Sequence, residues 1–328
     1  MKTALIMGIT GGFGGHVADA LVRDGWQIRA LVRNPEKLPE RFAGVEVVAG
    51  NAAKVDEVRA AARGAELIVY GVNAPYPNWE GTVVPMLDVT ATVAEEQGAT
   101  ILFPGNVYSL NPKDGARFEN GLDESAPIHP PTRKGELRAQ MEARLRVAAE
   151  KGARVIIVRA GDFIGSGASS WLQFTIKRTR RGYTVNAPSE PRLIHTYAYL
   201  PDMAKVAADL VSRQEELPAF NVFHLRGFRV SYVDIAAAVE QASGKPVKIG
   251  RFPWWLMKLV SPFVPLVRSL LEMRYLWRVE LNLDDRKLQE FYGRPVNYTP
   301  LGTALIEAGV IEKKTGGHPV TAADHATN

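Results

Sequence analysis

Three glycines directly after a short apolar run constrain this chain more than any other feature of its sequence. Gly8, Gly11 and Gly14 follow the apolar residues 3–7 and open a segment with helical apolar spacing. The run predicts a buried strand, so the glycines occupy a strand-to-helix turn. Such a turn lets phosphate approach the backbone and the free N–H groups of the helix start. It predicts a dinucleotide-binding site formed by Gly8, Thr10, Gly11, Gly12, Phe13 and Gly14.

The end of the second predicted strand, 27–32, favours NADP over NAD. Arg33 follows this strand, about 20 residues beyond the turn, where the dinucleotide fingerprint places the residue that contacts the adenosine ribose. An arginine can pair with a 2′-phosphate and stack on adenine, whereas a carboxylate there would repel the phosphate. We therefore expect NADP(H) as the cofactor, with NAD as the less favoured alternative.

Short apolar strands alternate with helical segments through residues 1–165, which predicts an α/β fold with a Rossmann-type, doubly wound parallel sheet. The predicted strands are 3–7, 27–32, 45–48, 67–70, 100–103 and 154–158, and the predicted helices are 14–24, 54–62, 81–97 and 132–151. Residues 166–312 are predicted to form a smaller α+β substrate lobe, intimately packed, with some segments returning to the Rossmann sheet. Its predicted helices are 168–181, 201–213, 231–242 and 284–291, and its strands are 192–197 and 220–225. Residues 313–328 are polar and small, which predicts a disordered tail.

The composition excludes several classes of protein. The 328 residues include no cysteine, which excludes disulfides, iron–sulfur clusters and thiolate catalysis. The formal charge of +5 comes without a dense basic stripe, so no nucleic-acid partner is expected, and the six scattered histidines predict no metal site. We expect neither a membrane span nor a secretory signal, and therefore a cytoplasmic protein. A homodimer stays open.

These motifs resemble the short-chain dehydrogenase/reductase superfamily in its extended and atypical branches, which include NAD-dependent epimerase/dehydratase-like and NmrA-like proteins. The resemblance covers about residues 3–310, and its other markers are the LVRNPEK segment and residues 50–51, 73–74, 158–165 and 199–204. It implies an extended Rossmann domain and a small C-terminal substrate lobe. It also implies cofactor contacts beyond the glycine turn at Asn51, Ala52, Asn73, Ala74, Lys134 and Gly161.

The chain departs from the family's catalytic pattern, which is a Ser together with a Tyr four residues before a Lys. Lys134 stands where the resemblance puts the Lys, but Pro130 takes the Tyr position and Pro104 the Ser position. Tyr108, in the loop after the fifth strand, is the nearest replacement as proton donor, with Asn106 as a second donor. Structural packing of Tyr108 and a solvated Lys134 remain the alternatives.

Further candidates in the second half are open between structural and binding roles. Asp162 could orient a substrate hydroxyl, whereas a lone His195 is more often structural. The apolar run 252–267 could form lobe core, which we favour, could line an apolar pocket, or could lie flat on a membrane, although its cationic face is thin. The basic cluster 177–181 could be a solvated helix end or could bind the diphosphate of a nucleotide sugar.

Together these features predict an enzyme, an NADP-dependent oxidoreductase of a small carbonyl or hydroxyl compound whose active site lacks the usual Ser and Tyr. The substrate would be apolar or aromatic if the run 252–267 lines its pocket. One alternative is a nucleotide-sugar epimerase or dehydratase, which the basic cluster favours and the missing Ser and Tyr disfavour. The other is a non-catalytic, NmrA-like regulator that senses NADP.

Overall fold

The computed structural model describes residues 2–167 and 170–314, and its centre is a seven-stranded sheet whose neighbouring strands are all parallel. In spatial order the strands are β11 (Phe220–Leu225), β6 (Arg154–Ala160), β5 (Thr100–Asn106), β4 (Leu67–Tyr70), β1 (Thr3–Met7), β2 (Gln27–Val32) and β3 (Glu46–Ala49). The chain order reverses between β1 and β4. Ligands of open parallel sheets bind beyond the carboxyl ends of the strands at such a reversal.

Helices cover both faces of this sheet, namely α1 (Gly12–Arg23), α2 (Val55–Ala62), α3 (Val83–Gln97), α4 (Arg133–Glu150) and α6 (Leu200–Ser212). Alternate residues of β1 enter two different cores because side chains of a strand point to opposite faces. Leu5 and Met7 pack with α2, α3 and α4, whereas Ala4 and Ile6 pack with α1 and α6. The predicted doubly wound α/β fold is therefore confirmed.

In residues 162–167 and 170–314 the chain adds two small sheets and six short helices. One sheet contains β7 (Asp162–Ile164), β10 (His195–Tyr199) and β12 (Phe228–Val230), and the other β8 (Ile176–Arg178), β9 (Tyr183–Ala187) and β13 (Val247–Arg251). The helices are α5 (Trp171–Thr175), α7 (Tyr232–Ser243), α8 (Trp254–Val260), α9 (Pro265–Glu272), α10 (Arg286–Tyr292) and α11 (Leu301–Glu307). A third core joins β9, β10, α7 and α11. This is the smaller C-terminal lobe.

The predicted helix at 168–181 is wrong for most of its length. Helix α5 ends at Thr175, and the chain continues as β8, which pairs antiparallel with β9. Ile176 is buried in the lobe core while Lys177 and Arg178 are exposed. Strand pairing and burial therefore override the local helical pattern. The predicted strand 192–197 is also shifted, since β10 begins at His195. Residues 168–169 and 315–328, the latter most of the predicted tail, lie outside the described residues.

The apolar run 252–267 is a surface hairpin of two helices, α8 and α9, rather than lobe core. Trp254 is buried, but Trp255 is 71% exposed, Leu259 66% and Phe263 85%. The favoured interpretation as core is wrong for these side chains because one face of a two-helix hairpin packs on the lobe and the other faces outward. Within the described ranges, no helix is both long and apolar enough to cross a membrane.

Candidate functional site

The glycine turn lies at the carboxyl end of β1 and has no room for side chains. Gly8 has a φ of +85°, and a Cβ there would overlap the carbonyl oxygen of Gly71. A Cβ on Gly14 would overlap the carbonyl oxygen of Gly8. The helix cap, Gly11, makes no side-chain hydrogen bond to the first turn of α1. The turn therefore fits an anionic group placed against the first N–H groups of α1, as a dinucleotide phosphate requires.

The other predicted cofactor residues lie at the same edge of the sheet. Arg33 leaves β2 exposed to solvent, and residues 51–52 follow β3. Residues 73–74 follow β4, where the indole N–H of Trp79 donates to the carbonyl oxygen of Ala74 over 2.9 Å. These segments extend from the turn in both directions along the strand ends, as the two halves of a dinucleotide would.

Gly161, another predicted cofactor residue, has a packing role between two sheets. It joins β6 to β7, and a Cβ there would overlap the carbonyl oxygen of Thr196 on β10. After β7 the chain passes close to the glycine turn. A Cβ on Gly167 would lie 3.1 Å from the backbone nitrogen of Gly12. The lobe therefore begins against the predicted phosphate site.

Two tyrosines meet where β4 and β5 end. Tyr76 lies in a 3₁₀ turn after β4 and Tyr108 in a 3₁₀ turn after β5, and their hydroxyl oxygens are 2.7 Å apart. The side-chain oxygen of Asn106 accepts the backbone N–H of Tyr108 over 3.0 Å and holds its turn. One hydroxyl donates the bond between the tyrosines, so the proton of the other is left for a third group.

Burial raises the pKa of both phenols. For Tyr108 desolvation is the main cause and raises the pKa well above its ordinary value, with the negative charge of Asp162 adding to it. For Tyr76 desolvation also raises the pKa, and the hydrogen bond with Tyr108 opposes this. Both hydroxyls are therefore protonated at neutral pH and act as hydrogen-bond or proton donors rather than bases.

Lys134 lies in the first turn of α4, which Thr132 caps through its side chain. The ammonium nitrogen of Lys134 is 2.5 Å from a carboxylate oxygen of Glu272 in α9, and the other oxygen accepts the backbone N–H of Lys134 over 3.0 Å. The same ammonium lies 5.9 Å from the ring centroid of Tyr76. The fold thus brings the predicted residues Tyr108 and Lys134 together around Tyr76.

Arg138 lies one turn further along α4. Its guanidinium is 5.0 Å from the ring centroid of Trp79 and 5.4 Å from that of Phe103, and burial lowers its pKa. Pro130, where the resemblance places the Tyr, precedes the first residue of α4. Lys134 and Arg138 are four residues apart within α4.

Asp162 and His195, considered separately in the sequence, form a pair. Nε2 of His195 lies 2.9 Å from a carboxylate oxygen of Asp162, across the neighbouring strands β7 and β10. Nδ1 of His195 is buried and has no hydrogen-bond partner within the described part of the chain. The imidazole centroid lies 5.9 Å from the ring of Trp277. The negative charge of Asp162 also helps to raise the pKa of the buried hydroxyls of Tyr76 and Tyr108.

A stack of lobe aromatics lies behind His195. The rings of Trp171 and Trp277 are 4.2 Å apart and nearly parallel, and Trp254 lies 6.0 Å from Trp171. Phe252 lies 5.0 Å from Trp171. Trp171, Trp254 and Trp277 are buried in the core on the side of the sheet that α2, α3 and α4 cover, and Phe252 packs against it, so part of the aromatic content of the second half is structural.

A cavity of about 300 Å³ opens beside Lys134 and lies between α4, α9 and the turn after β4. Its lining includes Tyr76, Trp79, Lys134, Leu137, Pro265 and Glu272. A larger cavity of about 510 Å³ lies at the amino ends of β4, β5 and β6. Because parallel sheets bind ligands at their carboxyl ends, the smaller cavity is the substrate candidate.

Sequence reasoning missed Tyr76 and Glu272 and gave Arg138 no role. Glu272 is 138 residues from Lys134 and carries no local motif. Arg138 is one helical turn from Lys134, a spacing that could have drawn attention to it. The basic cluster 177–181 lies on β8 and the turn after it, and Arg178 pairs there with Glu312.

Comparison with known proteins gives a family match for the first part of the chain. Residues 8–100 match a family model described as NAD(P)H-binding. This segment runs from the glycine turn to the start of β5 and contains Arg33 and residues 51–52 and 73–74. No curated protein sequence matches the chain.

Solved structures match almost the whole chain. The UDP-N-acetylglucosamine 4-epimerase of Bacillus cereus is 13% identical, with 94% of this chain and 99% of that chain covered and a TM-score of 0.70. The Bordetella bronchiseptica enzyme WbmH, solved with NAD+, is 16% identical over 94% and 97% of the two chains, with a TM-score of 0.68. The UDP-glucose 4-epimerase of Thermus thermophilus, solved with NAD, is 16% identical over 94% and 98%, with a TM-score of 0.65.

At these identities the likeness is one of fold. It extends through the C-terminal lobe, beyond the residues that the family model matches. The chain therefore carries an NAD(P)H-binding domain within a fold that it shares with these epimerase structures, and this is the fold that the resemblance in its sequence implies.

Proposed function

We propose that this protein is an NADP(H)-dependent oxidoreductase that reduces the carbonyl group of a small compound in the cavity beside Lys134. The observation that carries the proposal is the buried pair of hydroxyls, Tyr76 and Tyr108, 2.7 Å apart at the carboxyl ends of β4 and β5. Burial keeps both protonated, and the ammonium of Lys134 lies beside them. Protonated donors suit carbonyl reduction, which places a proton on the substrate oxygen.

In this reduction a hydride is added to the carbonyl carbon and a proton to its oxygen. The nicotinamide, when bound, would supply the hydride. Tyr108 supplies the proton by way of Tyr76, which is bonded to it and lines the cavity. The charge of Lys134 stabilises negative charge as it develops on the oxygen, while the carboxylate of Glu272 keeps Lys134 oriented.

The test is NADPH oxidation with a panel of aromatic aldehydes and ketones. We expect Tyr108→Phe to lower kcat by about 100-fold or more, the usual contribution of a positioned proton donor, with little change in NADPH affinity. Tyr292→Phe is the matched control, since the hydroxyl of Tyr292 bonds to the carbonyl oxygen of Val206, away from the site. An unchanged kcat in Tyr108→Phe would remove Tyr108 from the proposal.

The preference for NADP rests on Arg33, which is exposed beyond the end of β2. Titration with NADPH and NADH, followed by nicotinamide fluorescence, tests it. We expect Arg33→Ala to weaken NADPH roughly tenfold, as loss of a charge-assisted phosphate contact does, and to leave NADH unchanged. Arg63→Ala, an exposed arginine before β4 at the opposite edge of the sheet, should change neither affinity. Equal losses for both cofactors would contradict the preference.

A nucleotide-sugar epimerase is the second candidate, favoured by the whole-chain likeness to epimerase structures. Epimerisation needs a group that takes a hydroxyl proton, and the Asp162–His195 pair is the candidate. The two functions differ in redox balance, because reduction consumes NADPH whereas epimerisation returns the hydride. An NMR assay that finds a new epimer of UDP-glucose or UDP-N-acetylglucosamine without net cofactor change would favour the second function. Cofactor binding without turnover of either class would favour a regulator.

A further inference from the structure

The hairpin of α8 and α9 displays a contiguous apolar surface. The described residues contain twelve large apolar side chains that are exposed, and six of these lie between positions 255 and 266. Trp255 and Leu259 are one turn apart on α8, Phe263 lies in the connection, and Leu266 lies in the first turn of α9. Isolated exposed apolar residues are ordinary, but a cluster of this kind marks an interaction surface.

The opposite face of the hairpin is firmly attached to the lobe. The indole N–H of Trp254 donates to the carbonyl oxygen of Pro188 over 2.6 Å, and its ring packs against Trp171 and Phe252. The guanidinium of Arg274, just beyond α9, lies 4.8 Å from the Trp254 ring. The apolar surface is therefore presented by an anchored element whose own core contacts are already made.

The charge around the hairpin has one sign. Between Glu240 and Glu272 the sequence contains five cationic residues and no acidic one. Lys245 pairs with Glu312, whereas the salt bridges among described residues involve none of Lys248, Arg251, Lys258 or Arg268, all of them exposed. Apolar side chains next to unpaired cations complement a bilayer with anionic headgroups. Tryptophan and phenylalanine are also suited to the boundary between headgroups and acyl chains.

Two other occupants fit this surface less well. A two-fold dimer would place the patch against its own copy and bring like charges together, because such an interface uses the same surface on both subunits. The C-terminal residues 315–328 contain one valine and no leucine, isoleucine or aromatic residue, so they offer little to cover Trp255 and Phe263.

We propose that the α8–α9 hairpin docks this protein onto an anionic lipid surface, with Trp255, Leu259 and Phe263 inserted among the headgroups. Because α9 also forms one wall of the cavity beside Lys134, docking brings that cavity next to the bilayer. The hairpin lies on the surface and does not span it, since each helix is at most eight residues long.

The test is flotation of the full-length protein with vesicles of phosphatidylcholine alone or with 30 mol % (about a third) phosphatidylglycerol. We expect flotation with the anionic vesicles and a decrease at high salt. Trp255→Ser/Phe263→Ser should lower the bound fraction roughly tenfold by removing the inserted groups. Lys248→Gln/Lys258→Gln should weaken binding to the anionic vesicles alone. Val22→Ser/Val147→Ser, which removes exposed apolar residues of the Rossmann half, is the matched control and should bind as wild type.

A second measurement does not depend on the folding of these variants. Brominated lipid should quench tryptophan fluorescence of the wild type, and the conservative Trp255→Phe should lose most of that quenching. Absence of flotation with anionic vesicles, or equal flotation of wild type and the Trp255/Phe263 variant, would overturn the proposal. So would a dimer in sedimentation equilibrium that the same variant converts to a monomer, since a second copy would then cover the patch.

Discussion

The glycine turn occupies seven consecutive residues, 8–14, whereas the side chains around the cavity come from segments between residues 76 and 272. The turn works through its backbone, because a Cβ on Gly8 or Gly14 would overlap neighbouring main chain. The cavity works through side chains that meet only after the lobe has packed on the sheet, as Lys134 and Glu272 do. The predicted cofactor turn is thus encoded by neighbouring residues of the sequence, whereas the side chains around the cavity are brought together by tertiary packing.

A buried polar network connects α4 with the sheet strands β6 and β11. Arg159 of β6 contacts Glu142 of α4, with Nε 3.3 Å from Oε1, and its NH1 lies 2.7 Å from Nε2 of His224 on β11. Nδ1 of His224 lies 2.9 Å from the carbonyl oxygen of Leu122. Since a carbonyl only accepts, Nδ1 carries the proton and Nε2 accepts from Arg159, which fixes a neutral imidazole. The strand from the second half, β11, is thereby tied to the Rossmann sheet.

The largest effect should come from breaking the buried contact between Arg159 and Glu142. Arg159→Met leaves the Glu142 carboxylate buried without its counter-charge, and we expect the free energy of unfolding in urea to fall by about 3–5 kcal/mol. Arg159→Met/Glu142→Leu removes both charges and should recover most of the loss. Arg59→Met, which breaks an exposed pair with Glu96, should leave the free energy of unfolding almost unchanged. A double variant no more stable than Arg159→Met would show that the unpaired Glu142 carboxylate does not cause the loss of stability.

The next effect tests whether the turn is fixed by its backbone. Gly8→Ala adds a Cβ that overlaps Gly71, and we expect a loss of about 3 kcal/mol in unfolding free energy together with loss of NADPH binding. Gly64→Ala is the control, because Gly64 also has a positive φ, +72°, but nothing lies within 4 Å of its added Cβ. It should cost about 1 kcal/mol and leave binding intact. Equal losses would mean that φ alone, and not the close approach, matters at Gly8.

The same contrast explains what could be read from the sequence. The predicted bounds of β1, β2, β4 and β11 match the structure, because these segments are mostly apolar and largely buried in a parallel sheet. The lobe strands β7, β8 and β12 have three residues each and gave no apolar run. Such strands exist because neighbouring strands and helices pack on them, which periodicity along the chain does not report.

Some residues of the candidate site could be selected from the sequence, and one could not. Tyr108, Asn106 and Lys134 could be selected because each follows a strand or begins a helix at the carboxyl edge of the sheet, and they do lie near one another. Their catalytic roles stay predictions. Glu272 could not be selected, since it reaches Lys134 from an amphipathic helix of the lobe whose place against α4 depends on the whole fold.

A smaller effect tests that assembly directly. In a double-mutant cycle of Lys134→Met and Glu272→Gln, measured by urea unfolding, we expect a coupling of about 1–2 kcal/mol, because both side chains are largely buried, at 9% and 28% exposure. The adjacent exposed pair of Arg133 and Glu80, at 50% and 65% exposure, is the matched control and should show almost no coupling. Equal coupling in the two pairs would mean that α9 does not shield the Lys134 contact from solvent.

The smallest effect is a pH dependence of the unfolding free energy, which we expect from His224 in the same buried network. Burial, and then the positive charge of Arg159, hold the pKa of His224 well below its ordinary value. The unfolded chain takes up a proton near pH 6.5 that the folded chain refuses, so stability is complete above that pH and falls as the pH is lowered. Between pH 6.5 and 5.5 we expect His224 to account for a loss of about 1 kcal/mol in unfolding free energy.

His224→Gln separates this contribution from the other groups of the protein. Its amide can donate to the Leu122 carbonyl and accept from Arg159, but it does not titrate. Urea unfolding at pH 7.5, 6.5 and 5.5 should therefore show a shallower decline in the variant than in the wild type. The raised pKa of Glu124, which accepts the backbone N–H of His224, is common to wild type and variant, so it cancels in the difference. Equal declines of the unfolding free energy in wild type and His224→Gln would mean that protonation of His224 does not cause the loss of stability at low pH.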